Sequence, residues 1–477
     1  MSSRVWIALV SLGLSLLGPA AVRAADAAAQ SGLARRLDAA LRHPALKGSR
    51  VAVCVVEERT GRALYERDPD RLLVPASNLK VVTAAAALAA LGPTRRFATE
   101  LLGDAAPDAE GRVQWLFVRG GGDPALTSED FWRLAADLRR IGLSRIERGI
   151  ALDDSHFDSE RWHPSWGKPS SRAYYAPVGG ISVNYGAFSV AVSPGVGGAA
   201  PRVRADPPLA YFEIASRART GPARSRARLH VDLGEANDSQ PVRVDGVIPA
   251  QASAQLVQRS VQDPTRYAGA VLRMQLEAVG IPVGPGLELG AVPASAVPLT
   301  AFEGRPLAEI VRLFLKYSNN QIGEALVKQL GARAAGPPGS WEKGLPALLD
   351  ELRGLGVDPA GMQLRDGSGL SYDNRVSPRF LVQTLRAALA SFRFGPEFLA
   401  ALPIAHADGT LAGRAEAAEG ALRAKTGLLT RVTGLSGLAE LGDGERAVFS
   451  ILVNGFRSDA HSAMRAVDGF AAALAGR

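Results

Sequence analysis

The sequence predicts an α+β fold: an antiparallel sheet built from both ends of the chain, flanked by helices, with strand-rich material inserted between. Three observations predict it. Residues 48–91 run strand, turn at Thr60-Gly61, strand, then an alanine-rich apolar helix. Residues 421–456 form three apolar strand-like runs (422–429, 434–441 and 447–456), followed by a terminal helix over 462–477. Residues 95–299 change texture to short runs such as 113–118 and 190–192, broken by Gly and Pro. Strands at both ends with helices between them close into one sheet with helices on its faces.

Each element follows from its local pattern. Val51-Ala52-Val53-Cys54-Val55-Val56 is an apolar run of β type. Helical periodicity marks 305–330, 342–355 and 378–390. Within the insertion, 194–200 and the arginine-dense 217–228 are loop-like, which suggests a nested insertion. The boundaries expected are a leader over 1–24, a main domain over 25–94 and 300–477, an inserted domain over 95–193 and 263–299, and a nested one over 194–262. About 450 residues after the leader exceed one comfortable core.

The first residues combine Arg4, an apolar run over 5–17 and Val22-Arg23-Ala24 ahead of Ala25, the order of a secretory signal peptide. The apolar run is short for a spanning helix, so an exported chain without an integral anchor is expected, an uncleaved anchor being the alternative. Cys54 is the single cysteine and excludes an intramolecular disulfide; in its apolar run it reads as a buried, inert thiol. Removing Arg4 and Arg23 with the leader lowers the net charge of +8 to +6. The arginines are scattered rather than gathered with aromatics, so no nucleic-acid partner is expected and a solvated basic surface suffices.

Ser77-Asn78-Leu79-Lys80 stands at the mouth of the apolar helix over 81–91. A serine and a lysine three apart lie on one helical face, where the amine can take the hydroxyl proton in Ser-Lys nucleophilic catalysis. The pattern alone is weak, since Ser165-Trp166-Gly167-Lys168 and Ser340-Trp341-Glu342-Lys343 also satisfy it without an apolar helix behind them. The chain holds seven lysines against forty-eight arginines. Arginine does not lose its proton and cannot serve as a base, so Lys80 and Lys425 stand out. The six histidines form no close pair on a helix face, there is no paired-cysteine site, and neither a metal nor another cofactor is expected. Gly195-Val196-Gly197-Gly198 lacks the strand, helix and acidic partner of a dinucleotide fingerprint.

Two further elements complete a pattern. Tyr317-Ser318-Asn319-Asn320 follows the amphipathic segment 307–315, and Lys425-Thr426-Gly427 lies in a strand. S-x-x-K, S-x-N and K-T-G in this order form a signature of penicillin-interacting serine enzymes. With them stand Gly121-Gly122-Asp123-Pro124, Asp153-Asp154-Ser155, Ser182-Val183-Asn184-Tyr185, Asp366-Gly367-Ser368-Gly369-Leu370-Ser371 and Asp408-Gly409-Thr410-Leu411. On these motifs the chain resembles the S13 peptidases, the class C low-molecular-mass penicillin-binding proteins, whose extra domains fall between the first two motifs; here 238 positions separate Lys80 from Ser318.

The resemblance implies a DD-peptidase/β-lactamase-like transpeptidase domain carrying inserted, mainly-β domains. It also implies a serine-type D-alanyl-D-alanine carboxypeptidase, also an endopeptidase, acting in the periplasm on peptidoglycan stem peptides and binding β-lactams covalently. Ser77 would be the nucleophile and Lys80 its base, with Lys425 and partial burial lowering the Lys80 pKa. Ser318 would relay a proton and Asn320 hold substrate and Lys80. Lys425 and Thr426 would bind the terminal carboxylate, and the N–H groups of Ser77 and Leu428 would form the oxyanion hole around Gly427. Asp153 and Asp154 would meet a cationic stem-peptide side chain, a capped turn being the other reading, and the loop 366–371 would wall the site. The family usually places Ser or Thr after K-T-G; Leu428 departs from this, with Thr430 as a substitute. A serine β-lactamase and a non-catalytic wall-binding or β-lactam-sensing protein are the alternatives. Oligomeric state is open.

Overall fold

The computed structural model describes residues 31–442 and 444–477; the expected leader over 1–24 lies outside them. A helix through residues 31–41 (α1) leads into β1 (Arg50–Glu57) and β2 (Ala63–Arg67). The buried helix α2 (Lys80–Leu91) follows a 3₁₀ turn over Ala76–Leu79. At the other end of the chain, β15 (Leu422–Leu429), β16 (Val432–Glu440) and β17 (Arg446–Asn454) precede α10 (Ala460–Leu474). The two ends unite in one antiparallel sheet of order β15-β16-β17-β1-β2.

The unbroken apolar run of β1 has a simple cause. Ala52, Cys54 and Val56 face the core that contains α2, while Val51, Val53 and Val55 face a second core with α1 and α10. Cys54 is fully buried, and burial pushes its thiol up to about 12, so it is inert. On the first face α2 is enclosed by α5 (Leu307–Tyr317), α6 (Asn320–Ala335), α7 (Trp341–Gly354) and α8 (Pro378–Ala390), with the short α9 (Gly395–Ala401) against α5 and α8. The run Ala84-Ala85-Ala86-Ala87 is fully buried because only small side chains let four helices approach a central one. The helix expected over 305–330 is in fact two: Ser318 adopts a left-handed conformation (φ 58°, ψ 35°) that ends α5, and the Asn319 side chain caps α6 by accepting from Ile322 N at 3.1 Å.

The insertion leaves after α2. β3 (Thr99–Gly103), β4 (Arg112–Gly120), β5 (Arg145–Asp153), β13 (Gly286–Leu289) and β14 (Val297–Phe302) form a mixed sheet of order β13-β5-β4-β3-β14. It carries two helices that the sequence analysis did not place, α3 (Ser128–Arg140) and α4 (Pro264–Ala278). The outer strands are β6 (Ala187–Ser193), β7 (Arg202–Asp206), β8 (Phe212–Ser216), β9 (Arg219–Gly221), β10 (Arg228–Leu233), β11 (Gln240–Pro249) and β12 (Gln255–Ser260). β6 pairs with both β7 and β12, and one apolar cluster runs from Leu101 through Val190 to Val244. The segment 194–262 therefore shares a sheet and a core with the chain around it.

Asp153 and Asp154 lie where β5 ends and fasten this block internally. Asp153 accepts from Ser155 N (3.1 Å), Ser155 Oγ (2.6 Å) and Val292 N (2.9 Å). Asp154 accepts from Ile181 N (2.7 Å), Thr265 Oγ1 (2.8 Å) and Arg161. Their oxygens are taken by internal donors, the physical reason they are not free for a cationic ligand. An Asp154→Ala variant leaves Arg161 and the Ile181 N–H without their acceptor and is expected to lose about 2 kcal/mol of stability. Thermal unfolding measures this; a melting temperature equal to that of the parent would refute it.

Candidate active site

Ser77 sits in the 3₁₀ turn that opens α2, just after Ala76, whose backbone is left-handed (φ 48°). Lys80, three residues on, is fully buried. Its Nζ lies 2.9 Å from Ser77 Oγ, 2.7 Å from Asn320 Oδ1 and 2.6 Å from the Ser368 carbonyl oxygen. One amine thus joins the serine, the start of α6 and the 366–371 loop. The Asn320 amide donates its other end to the Tyr174 carbonyl at 2.9 Å, so a loop of the insertion helps to orient it.

Two glycine positions let backbone close on the Ser77 turn. Gly427 of β15 faces Gly434 of β16, and a Cβ on either would stand 2.3 or 2.8 Å from Asn78 Nδ2. This bare patch on the sheet receives the Asn78 side chain, which turns back to the Pro75 carbonyl at 3.0 Å. From the opposite side Gly369 (φ 81°) packs so tightly that a Cβ would lie 1.9 Å from the Ala76 carbonyl oxygen. Ser77, Ser318, Asn320 and Leu428 line a single cleft of about 830 Å³ with Tyr174, Tyr175, Leu370 and Tyr372; the charged side chains on its wall are Arg172 and Arg431.

A family model described as D-Ala-D-Ala carboxypeptidase 3 (S13) matches residues 33–474. The chain belongs to the S13 peptidase family. It is 38% identical over 472 residues to a D-alanyl-D-alanine carboxypeptidase of Actinomadura sp. (strain R39), covering 95% of this chain and 87% of the relative. It is 26% identical to the D-alanyl-D-alanine carboxypeptidase DacB of Haemophilus influenzae, with 86% of each covered. The crystal structure of penicillin binding protein 4 (dacB) from H. influenzae superposes with a TM-score of 0.79 at 24% identity, covering 92% of this chain and 98% of that one. Fold and family thus agree with the resemblance carried by the motifs and set aside the β-lactamase alternative.

In this S13 peptidase the electrostatics differ in one respect from the expectation. Burial holds Lys80 far below an ordinary lysine, at about 7, while Asp366 and Glu324 pull the other way. Burial, not the charge of Lys425, is the principal cause. Lys425 is itself held well below its usual value by burial first and then by Lys80 and Arg414.

Lys425 and Thr426, expected to bind the terminal carboxylate, are buried in β15 beside the cleft, as Lys80 is. Lys425 Nζ donates to the Thr426 carbonyl at 2.8 Å, and Thr426 Oγ1 pairs with Thr410 Oγ1 at 2.8 Å. The Asp408-Gly409-Thr410 segment thereby ties β15 to the end of α5, where Lys316 bonds Asp408 Oδ2 at 2.5 Å and the Leu402 carbonyl at 2.7 Å. Leu428 is 45% exposed and turns a methyl-bearing chain into the cleft. Thr430 lies just beyond β15, in the turn, with its N–H donated to Tyr372 Oη at 2.9 Å, so strand alternation does not govern it.

The other two S-x-x-K segments are structural. Ser340 caps α7 by accepting from Lys343 N at 3.2 Å, and Ser165 bonds His163 Nδ1 at 2.8 Å. Sequence reasoning missed Arg172, Tyr174 and Arg431, all in irregular segments without periodicity to betray them. It also missed Trp166, whose Nε1 donates to Asp366 Oδ2 at 2.9 Å. A Gly369→Ala variant adds a Cβ both at positive φ and against the Ala76 carbonyl. It should fold with a displaced Ser77 turn and acylate about 10²-fold more slowly or worse; stopped-flow acylation at the wild-type rate would contradict this account of the turn.

Proposed function

We propose that Ser77 is the acyl-accepting nucleophile of a serine-type D-Ala-D-Ala carboxypeptidase, with neutral Lys80 as its base. The observation that carries the reading is a fully buried amine 2.9 Å from the Ser77 hydroxyl in an S13 chain. Held near 7 by burial, this amine is substantially unprotonated at neutral pH and can take the Ser77 proton as Oγ attacks the carbonyl of the penultimate D-Ala. The N–H groups of Ser77 and Leu428 serve as the oxyanion donors. Ser318, presented to the cleft by its left-handed turn, passes a proton to the departing D-Ala amine. Asn320 fixes Lys80 and the substrate backbone, and water hydrolyses the ester.

The cleft cations Arg172 and Arg431 suit the terminal carboxylate that distinguishes a chain end, beside the Lys425-Thr426 pair of β15. The substrate is a peptidoglycan stem peptide, free or crosslinked, and a β-lactam would stop at the Ser77 ester. Among the described residues no helix is long and apolar enough to cross a membrane. The leader-like order of residues 1–24 supports an exported, periplasmic enzyme.

The test is release of D-Ala from a muropeptide pentapeptide across the acid to alkaline range. Wild-type kcat/KM is expected to rise with pH through about 7 as Lys80 loses its proton. Ser77→Ala should be slower by on the order of 10³-fold or more at every pH. Equal release by Ser77→Ala would sink the assignment.

A further inference from the structure

The Ser368 carbonyl that receives Lys80 must itself be held, and the groups that hold it come from two elements. Asp366 accepts from Gly369 N at 2.8 Å, and that N–H belongs to the same peptide unit as the Ser368 carbonyl. Glu324, one helical turn beyond Asn320 and so on the same face of α6, holds the units before it. Its Oε1 accepts from Ser368 N at 2.8 Å, and its Oε2 accepts from Gly367 N at 2.9 Å and from Trp341 Nε1 at 2.8 Å. Thr83 of α2 donates to the Gly367 carbonyl at 2.7 Å and pins the loop from the other side. Glu324 is fully buried, and an ionisable side chain persists there only with a full set of partners.

We propose that Glu324 is a positioning residue for the Ser77–Lys80 pair: it sets the loop whose carbonyl receives Lys80, and it supplies the buried negative charge that favours the protonated amine. The charged groups facing Lys80 are Glu324 from α6, Asp366 from the loop and Lys425 from β15. Glu324 itself faces Asp366 and the Trp341 indole, while Asp366 is faced by Trp166, Asn374 and His163. Burial and then the Asp366 charge hold the Glu324 carboxyl at about 7, above an ordinary glutamate, against the pull of its N–H donors. The charge on Glu324 and the proton on Lys80 are linked, so the acid limb of activity reflects both groups.

The inference rests on Ser77 and Lys80 being the acylating pair, which the Ser77→Ala control tests separately. In Glu324→Gln the negative charge is gone, so Lys80 gives up its proton more readily. The acid limb of kcat/KM should move to lower pH by about one unit. Because an amide NH₂ now meets a backbone N–H, the plateau should fall by tenfold to about 10²-fold. A lowered plateau with an unmoved limb would mark a purely structural residue and overturn the proposal. Should Glu324→Gln fail to fold, Trp341→Phe decides. Loss of one N–H donor makes Glu324 less readily ionised, so the limb should move the same way by a smaller amount, and an unmoved limb there likewise overturns the proposal. Wild-type activity that does not depend on Ser77 would instead remove the reading beneath it.

Discussion

Everything in this molecule is arranged around a lysine amine kept dry. An ammonium in an apolar interior costs several kcal/mol unless its hydrogens find acceptors, and Lys80 finds three, each on a different piece of chain. The arrangement leaves the amine a weak enough acid–base group to work near neutrality, yet tethered enough to stay aimed at Ser77. It also dictates the rest of the helical layer. Water is excluded only if α2 is wrapped, and α2 can be wrapped closely only because the positions that face its neighbours include the buried alanines 84–87.

The second constraint is geometric. Sheet, helix and loop must meet at the Ser77 turn within van der Waals distance, and glycine is placed where each meets it: Gly427 and Gly434 on the sheet, Gly369 on the loop. Two tryptophan indoles finish the polar accounting behind the site, Trp341 to Glu324 and Trp166 to Asp366, with their rings 6.3 Å apart and edge to face. A buried carboxylate with its donors satisfied is tolerable, whereas the same group with one donor missing is not.

Much of this was legible in the sequence. The strands at both chain ends announced the sheet, and the three spaced motifs announced the site because each needs a particular local structure. What was hidden had physical reasons. The break at Ser318 is invisible to periodicity, since apolar spacing continues through α5 into α6 and a single left-handed residue changes no pattern. α3 carried its own signal, a reciprocal Thr127–Asp130 capping box with Arg139 and Arg140 at the far end, obscured by the Gly/Pro texture around it. Glu324 carries no sequence signal that separates it from a surface glutamate until the loop that covers it is known. Lys425 and partial burial were named together as the influences on Lys80, because sequence names charges but not how deeply a side chain is buried.

The bond from Asn320 to the Tyr174 carbonyl carries a consequence for how such chains diversify. The inserted block is not cargo hung from a self-sufficient catalytic core, because it contributes a fixed point to the amide that steadies Lys80. Exchanging that block between relatives would replace a partner of the Ser77–Lys80–Asn320 cluster along with the appendage. Evolution of the appendage is therefore constrained from within, at one loop, however freely its outer strands vary.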